Sequence, residues 1–385
     1  MKNRTFSLVF CLLVASLLLT ACTPTASSAP ATTAEPTVTS SVATPTPLST
    51  TNAMPAPLTI TDSTGRAVSL PSVPQRIVIT GKALIIIADA VYIFPEAPQR
   101  IMALGSASQG TSNFIALIDP DYAGKAMIQQ DAGAEQIAAL HPDLVILKSY
   151  LAETVGAPIQ ALGIPVIYVD FETPEQYPRD LVILGQVFQN EPRAAEVAAY
   201  YQFNVELIQQ AVSDVDARPR VLMLYYNDRD GNVAFNVPPL NWMQTRIVEM
   251  AGGDPVWTDA NPGNGWTKVT FEQIAAWDAD QVFIIAYNKN PSDVVAGLKA
   301  DPNWQALRAV QDGKLYAFPA DLYSWDQPDT RWILGLTWLA GRLHPEQFPG
   351  LDITAEARTF YQTLYGLDAA FFEQNIRPTF KGDLP

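Results

Sequence analysis

Cysteine is almost absent from this chain. Its 385 residues include two, Cys11 and Cys22, both close to the N-terminus. The rest of the sequence therefore has no disulfide, no thiolate metal site and no thiol nucleophile. Histidine is equally scarce. His141 and His344 are the only two, each directly precedes a proline, and isolated imidazoles do not form the convergent cluster that binds bare zinc, manganese or iron. Basic residues number 24 against 39 acidic, a net charge of −15, which argues against nucleic acid as a partner. Catalytic signatures are missing too: there is no Gly-x-Ser-x-Gly elbow, no His-Glu-x-x-His pair and no Gly-x-x-x-x-Gly-Lys-Ser/Thr phosphate loop. A carboxylate-dependent hydrolase stays open, since acids such as Asp321 and Asp326 would serve if they flanked a cleft. A third class, a tethered interaction protein with no small ligand, stays open as well.

The N-terminus gives a location. Lys2 and Arg4 precede an apolar run at 6–19, too short to span a bilayer comfortably, and Leu19-Thr-Ala-Cys22 closes it. Small residues before a cysteine directly after such a run resemble a bacterial lipobox. That resemblance implies removal of residues 1–21 as a signal peptide and a diacylglyceryl group on Cys22. Each buried acyl methylene favours the membrane by about 0.8 kcal/mol, so lipid would hold the protein at a cell-membrane surface without a transmembrane helix. Residues 22–57 follow, composed almost wholly of Thr, Ser, Pro, Ala and Val with Glu35 as the only charge, and are expected to form a disordered tether. Loss of Lys2 and Arg4 leaves 22 basic residues against 39 acidic, about −17 for the mature chain. The 48% apolar content is sufficient for real cores in the body that remains.

That body contains a repeat. Glu135-Gln-Ile-Ala-Ala139 recurs as Glu272-Gln-Ile-Ala-Ala276, and each copy leads through an aspartate at the same offset, Asp143 or Asp280, into a short apolar strand. Two lobes of similar architecture follow from this, with Glu135 and Glu272 at equivalent positions facing a partner that touches both. The rest of the pattern is α/β with parallel sheets. A hairpin at 58–70 turns at Asp62-Ser-Thr-Gly65; strands follow at 76–79, 100–104, 144–147 and 165–169, and a helix at 83–94. A helix from 191 to about 215 has Asn190 as N-cap and Pro192 in its first turn, and is the one sustained helix expected. A second strand series (220–225, 282–286, 315–318) has helices at 242–250 and 332–343, and two short helices end the chain. The expected organisation is an N-terminal lobe at 58–190, a bridging helix at 191–216 and a C-terminal lobe at 217–385.

The lipobox, tether, paired α/β lobes, single long helix and Glu-Gln-Ile-Ala-Ala-Leu-His-Pro-Asp-Leu-Val motif are together similar to the substrate-binding proteins of ABC importers, in the class that serves iron-siderophores, haem and cobalamin. Trp338-Leu-Ala and His344-Pro-Glu fit the C-terminal part of that family. The resemblance implies two Rossmann-like lobes with parallel sheets, small hinge motion and no enzymatic activity. It also implies a monomer whose glutamates Glu135 and Glu272 dock onto an ABC permease dimer driven by a cytoplasmic ATPase.

Open parallel sheets bind ligand at the carboxyl ends of their strands. The residues that follow the expected strands are Lys82, Gln109, Lys148 and Tyr150 in the first lobe and Tyr226, Asn227, Tyr287 and Lys289 in the second. Trp266, after Gly263-Asn-Gly265, is placed at the same mouth. The loop at 321–331 adds Tyr323 and Trp325 as flat faces and Arg331 as a forked donor. Lys82, Lys148, Lys289 and Arg331 at one cleft in an acidic protein favour an anionic ligand. No resident cofactor or directly held metal is expected. The ligand is expected to be a metal chelate, foremost a ferric siderophore, with molybdate or tungstate next and a corrinoid or haem after that; haem would need a tyrosine ligand.

Overall fold

The computed structural model describes residues 57–106 and 113–384; the leader, Cys22, the tether and Gln109 lie outside them. Leu58–Thr61 (β1) and Ala67–Leu70 (β2) pair antiparallel. The Asp62 carboxylate closes their turn by accepting from the backbone N–H groups of Thr64 at 3.0 Å and Arg66 at 3.2 Å, and Gly65 supplies the left-handed backbone at φ 81°.

The first large sheet is parallel throughout. It contains Ile77–Ile79 (β3), Ile101–Gly105 (β4), Ala126–Ile128 (β5), Leu144–Lys148 (β6) and Val166–Val169 (β7), in the order β5-β4-β3-β6-β7. Apolar residues on both sides of β3, β6 and β7 explain why these strands are buried on both faces. Ile77, Leu144, Ile146, Ile167 and Val169 enter one core, while Val78, Val145, Leu147, Val166 and Tyr168 enter another. Such alternation is the two-residue period of a strand.

The bridging helix runs Glu191–Ala211, ending a turn earlier than its composition suggests. Asn190 caps it by accepting from Arg193 N–H at 3.2 Å, and Ala194, Val197, Tyr201 and Ile208 form its buried stripe. It is not the only sustained helix. Gln176–Phe188 and Ile353–Tyr365 each extend 13 residues, and the first of these was not anticipated.

Arg220–Asn227 (β8), Ala234–Val237 (β9), Asp254–Pro255 (β10), Thr267–Val269 (β11), Gln281–Ile285 (β12) and Leu315–Ala317 (β13) make the second sheet, ordered β11-β9-β8-β12-β13 with β10 beside β8. The expected parallel pairing holds for β10, β8, β12 and β13, and one edge departs from it. β9 is antiparallel to β8 and β11 to β9, because the short segment between β8 and β9 cannot make a parallel crossover. Both sheets belong to one compact unit.

The repeat has a mechanical reason. Glu135 and Glu272 are each the second residue of a short helix, Ala134–Ala138 and Phe271–Trp277, and both are exposed. The glutamine after each closes the helix start: Gln136 Oε1 accepts from Gly133 N–H at 3.2 Å and Gln273 Oε1 from Thr270 N–H at 2.9 Å. The aspartates then clamp neighbouring strands in register. Asp143 accepts from the N–H groups of Gln75 and Arg76 at 2.8 and 2.9 Å, and Asp280 from that of Arg220 at 2.8 Å. Arg76 and Arg220 donate back to the ends of the two helices, at Leu140 and Trp277 carbonyls. The same joint thus occurs where β6 meets β3 and where β12 meets β8.

Candidate functional site

At the other end of these strands lies a cleft of about 620 Å³ lined from both lobes. Tyr150 follows β6, Glu172 follows β7, Arg229 follows β8, and Tyr287 and Asn288 follow β12. Trp242 and Gln244 enter from the start of the helix Met243–Met250, and Trp266 from just before β11. One wall is an aromatic cluster. The Tyr225 ring lies 4.7 Å from Tyr287 and 5.1 Å from Trp266, and Trp242 meets Trp266 edge-on at 5.7 Å.

Behind that wall Asp326 fixes the polar groups. Fully buried, it accepts from Tyr287 Oη at 2.6 Å, Gln244 Nε2 at 3.0 Å and Ser324 Oγ at 2.5 Å. Burial pushes its pKa up against the pull of these three donors, and burial with the Asp326 charge pushes the Tyr287 phenol far up. Because Gln244 presents its amide nitrogen to a carboxylate, its Oε1 is turned elsewhere, and that buried oxygen has no hydrogen-bond partner among the described residues. On the opposite side Lys148 is fully buried, donating to the Asp170 carbonyl and paired with Glu172. Desolvation lowers its pKa against the Glu172 attraction.

Of the predicted contact residues, Tyr150, Trp266 and Tyr287 line the cleft. Lys82 is exposed beside it, its carbonyl accepting from Tyr150 Oη at 3.3 Å. Lys148 stands behind Glu172 rather than in the opening. Tyr226, Asn227 and Lys289 sit to one side: Tyr226 packs on Phe235, Asn227 Oδ1 accepts from Arg229 N–H, and Lys289 pairs with Asp228.

The loop at 321–331 is a correction. Tyr323, Trp325 and Arg331 are buried in the junction between lobes, because three carboxylates draw Arg331 inward. Its guanidinium donates to Asp89 at 2.5 Å, Asp321 at 2.8 Å and Asp329 at 3.1 Å, and to Tyr361 Oη at 2.9 Å. Trp325 Nε1 is held by Asp321 at 3.0 Å, and Tyr323 Oη accepts from Phe114 N–H at 3.1 Å across the junction. Gly335 lets the helix Trp332–Leu343 press on this loop, since a Cβ there would lie 2.2 Å from the Trp325 carbonyl oxygen. Tyr201 of the long helix stacks on Trp332 at 5.3 Å and donates to the Thr330 carbonyl at 2.6 Å. Asp321 and Asp326 are therefore both consumed by internal bonds and do not flank the opening as a hydrolytic pair. His344 contacts the Gly252 carbonyl at 3.2 Å inside the second lobe.

The residues that sequence reasoning missed are Arg229, Trp242, Gln244 and Glu172. Arg229 lies two residues beyond Asn227, so the strand ran farther than its apolar core indicates. No ion pair to its guanidinium occurs among the described residues.

A lined cleft between two α/β lobes bridged by a long helix is the arrangement of a solute-binding protein, and the family comparison agrees. The family described as periplasmic binding protein matches residues 119–322, more than half of the chain, and the chain belongs to it. It is a periplasmic solute-binding protein of the ABC-transporter kind, and not an enzyme. A molybdate-binding protein of Haemophilus influenzae is 24% identical over 331 residues, covering 80% of this chain and 90% of that protein. An iron-uptake system-binding protein of Bacillus subtilis is 19% identical over 198 residues, 50% of this chain and 60% of that one. Among solved structures, a periplasmic solute-binding protein of Veillonella parvula matches with a TM-score of 0.67 at 24% identity, covering 84% of this chain and all of its own. The molybdate-bound form of the Haemophilus protein matches at 0.64 and 21% identity, covering 80% and 98%. No helix among the described residues is long and apolar enough to cross a membrane.

Proposed function

We propose that this chain captures an organic metal chelate, with a ferric siderophore as the representative ligand, and hands it to an importer. The observation that carries this reading is the cleft itself: about 620 Å³ with Trp242, Trp266 and Tyr287 in its wall. That volume falls in the range of roughly 300–1,000 Å³ that encloses drug-sized organic ligands. Flat aromatic faces suit the apolar shell of a chelate, while Arg229 supplies a cation for oxygen donors at its surface. In this reading Glu135 and Glu272 dock on the permease dimer, and lipid on Cys22 keeps the protein at the membrane.

Molybdate is the second reading, favoured by the Haemophilus relative. A tetrahedral oxyanion needs a tight ring of donors, and a large aromatic cleft with one lining guanidinium is poorly matched to it. Isothermal titration of the protein with a ferric tris-hydroxamate, a ferric tris-catecholate, haem, cobalamin and sodium molybdate tests both. Saturable binding of a ferric chelate with no molybdate heat is expected; molybdate heat alone would replace this reading by the second.

A further inference from the structure

We propose that Glu172 sets the charge of the ligand, so that the cleft selects a chelate of low net charge bearing hydrogen-bond donors, of the hydroxamate type, over a polyanionic catecholate. This rests on the chelate reading above and narrows it. Among the described residues, the acidic and basic side chains that line the cleft are Arg229 and Glu172. Lys148 does not add to the accessible positive charge, because it is fully buried and its ammonium is shared between Glu172 and the Asp170 carbonyl. A ligand anion that sought Lys148 would have to displace Glu172 first.

Glu172 is held in place. Its N–H donates to Gln176 Oε1 at 2.8 Å, and the preceding Phe171, at φ 53°, donates its own N–H to the buried Asp180 carboxylate at 2.8 Å. The left-handed turn is thereby fixed from both sides, and the carboxylate it carries is 35% exposed. Its field is felt in the cleft: burial and then the Glu172 charge push the Tyr150 phenol up to about 12. Most of the remaining polar lining is carboxamide, from Gln244, Asn264, Asn288 and Gln327, which is neutral and offers donors and acceptors together. The buried, unpartnered Oε1 of Gln244 asks for a donor, which the amide and amine groups of a hydroxamate chain have and a shell of catecholate oxygens lacks.

A unit charge about 6 Å from Glu172, at an effective dielectric of about 40–80, is disfavoured roughly three- to tenfold for each negative charge on the ligand. Titration of the wild-type protein with an uncharged ferric tris-hydroxamate and a trianionic ferric tris-catecholate measures this directly. Arg229 and Lys148 offset part of this repulsion, so the hydroxamate should bind more tightly by about threefold or more. Glu172→Gln should tighten the catecholate by about tenfold or more and shift the hydroxamate by less than about threefold. The double variant Lys148→Met/Glu172→Gln, which removes both members of the pair, should bind the catecholate more tightly than the wild type but less tightly than Glu172→Gln, because the exposed member of the pair dominates the field in the cleft; a merely structural role for Glu172 would not give that order. If both chelates bind but the catecholate wins, or Glu172→Gln leaves their ratio unchanged, the charge-setting role is overturned while the chelate reading stands. If neither chelate binds the wild type, the chelate reading fails and this inference with it.

Discussion

The two lobes are alike at one end of their sheets and unlike at the other. At the end where β6 and β12 begin, both carry the same joint: a glutamine-capped helix, an aspartate clamping the neighbouring strand and an arginine reaching back to the helix terminus. Where those strands end, the first lobe presents a buried lysine behind an exposed-edge glutamate, and the second presents a tyrosine and a glutamine tied to a buried aspartate. Register must be held in every copy of such a sheet, so the joint repeats. The ligand meets the two walls from different sides, so their chemistry has diverged. In the proposed reading the shared end, with Glu135 and Glu272, faces a symmetric permease, and the divergent end faces an asymmetric solute.

The strongest way to break this comparison is at the shared end. Replacing Glu135 and Glu272 together by alanine should abolish transport in a cell-based uptake assay while leaving ligand affinity intact, because both side chains are exposed and far along the sheet from the cleft. Loss of affinity would mean that the two ends are not functionally separate. Next in size is the junction between lobes. Arg331→Met strands Asp89, Asp321 and Asp329 without their cation and should cost about 3–5 kcal/mol in urea unfolding. A smaller cost would mean that protons on the acids replace the guanidinium.

The clamps sharpen the likeness. Asp143→Ala and Asp280→Ala should each cost about 0.5–1.5 kcal/mol, since each removes exposed hydrogen bonds to backbone N–H groups that tie neighbouring strands together. Asp143 holds two such groups and Asp280 one, with Arg308 as a further partner at 2.7 Å; equal effects would support equivalent joints. A separate effect is that of pH on the junction. Burial raises Asp89 to about 6 and Asp329 to about 8, so folding favours their protonated forms. Their contribution is full below the unfolded carboxylate value near 3.8 and is lost as pH rises through about 6 and then about 8. Melting temperature should therefore fall between pH 5 and pH 8.5, and Asp329→Asn should flatten that fall.

The architecture was largely legible in the sequence because its signals are local and repeated. The pentamer, the aspartate offset and the apolar strand cores name the shared end almost residue by residue, and Asn190 with Pro192 marks the start of the long helix. What was not legible depends on which way a loop turns. Tyr323, Trp325 and Arg331 read as ligand contacts because aromatics beside an arginine look like a binding loop. Asp89, 242 residues away in sequence from Arg331, turns that loop inward, and no local pattern announces it. Arg229 and Glu172 were missed for the converse reason: each lies a few residues past a strand, where only the course of the connecting backbone aims it into the cleft. The antiparallel edge of the second sheet escaped because β9 and β11 are short and half-buried.

Of the eight tryptophans, Trp242 and Trp266 line the cleft, so emission reports ligand there. The most direct test is a fluorescence titration of the protein and of the Trp242→Phe/Trp266→Phe variant with the ferric chelates and with molybdate. The account predicts saturable quenching of the wild type by a ferric chelate, with most of the amplitude lost in the variant although six tryptophans remain. Undiminished amplitude in the variant, or a response to molybdate alone, would contradict it.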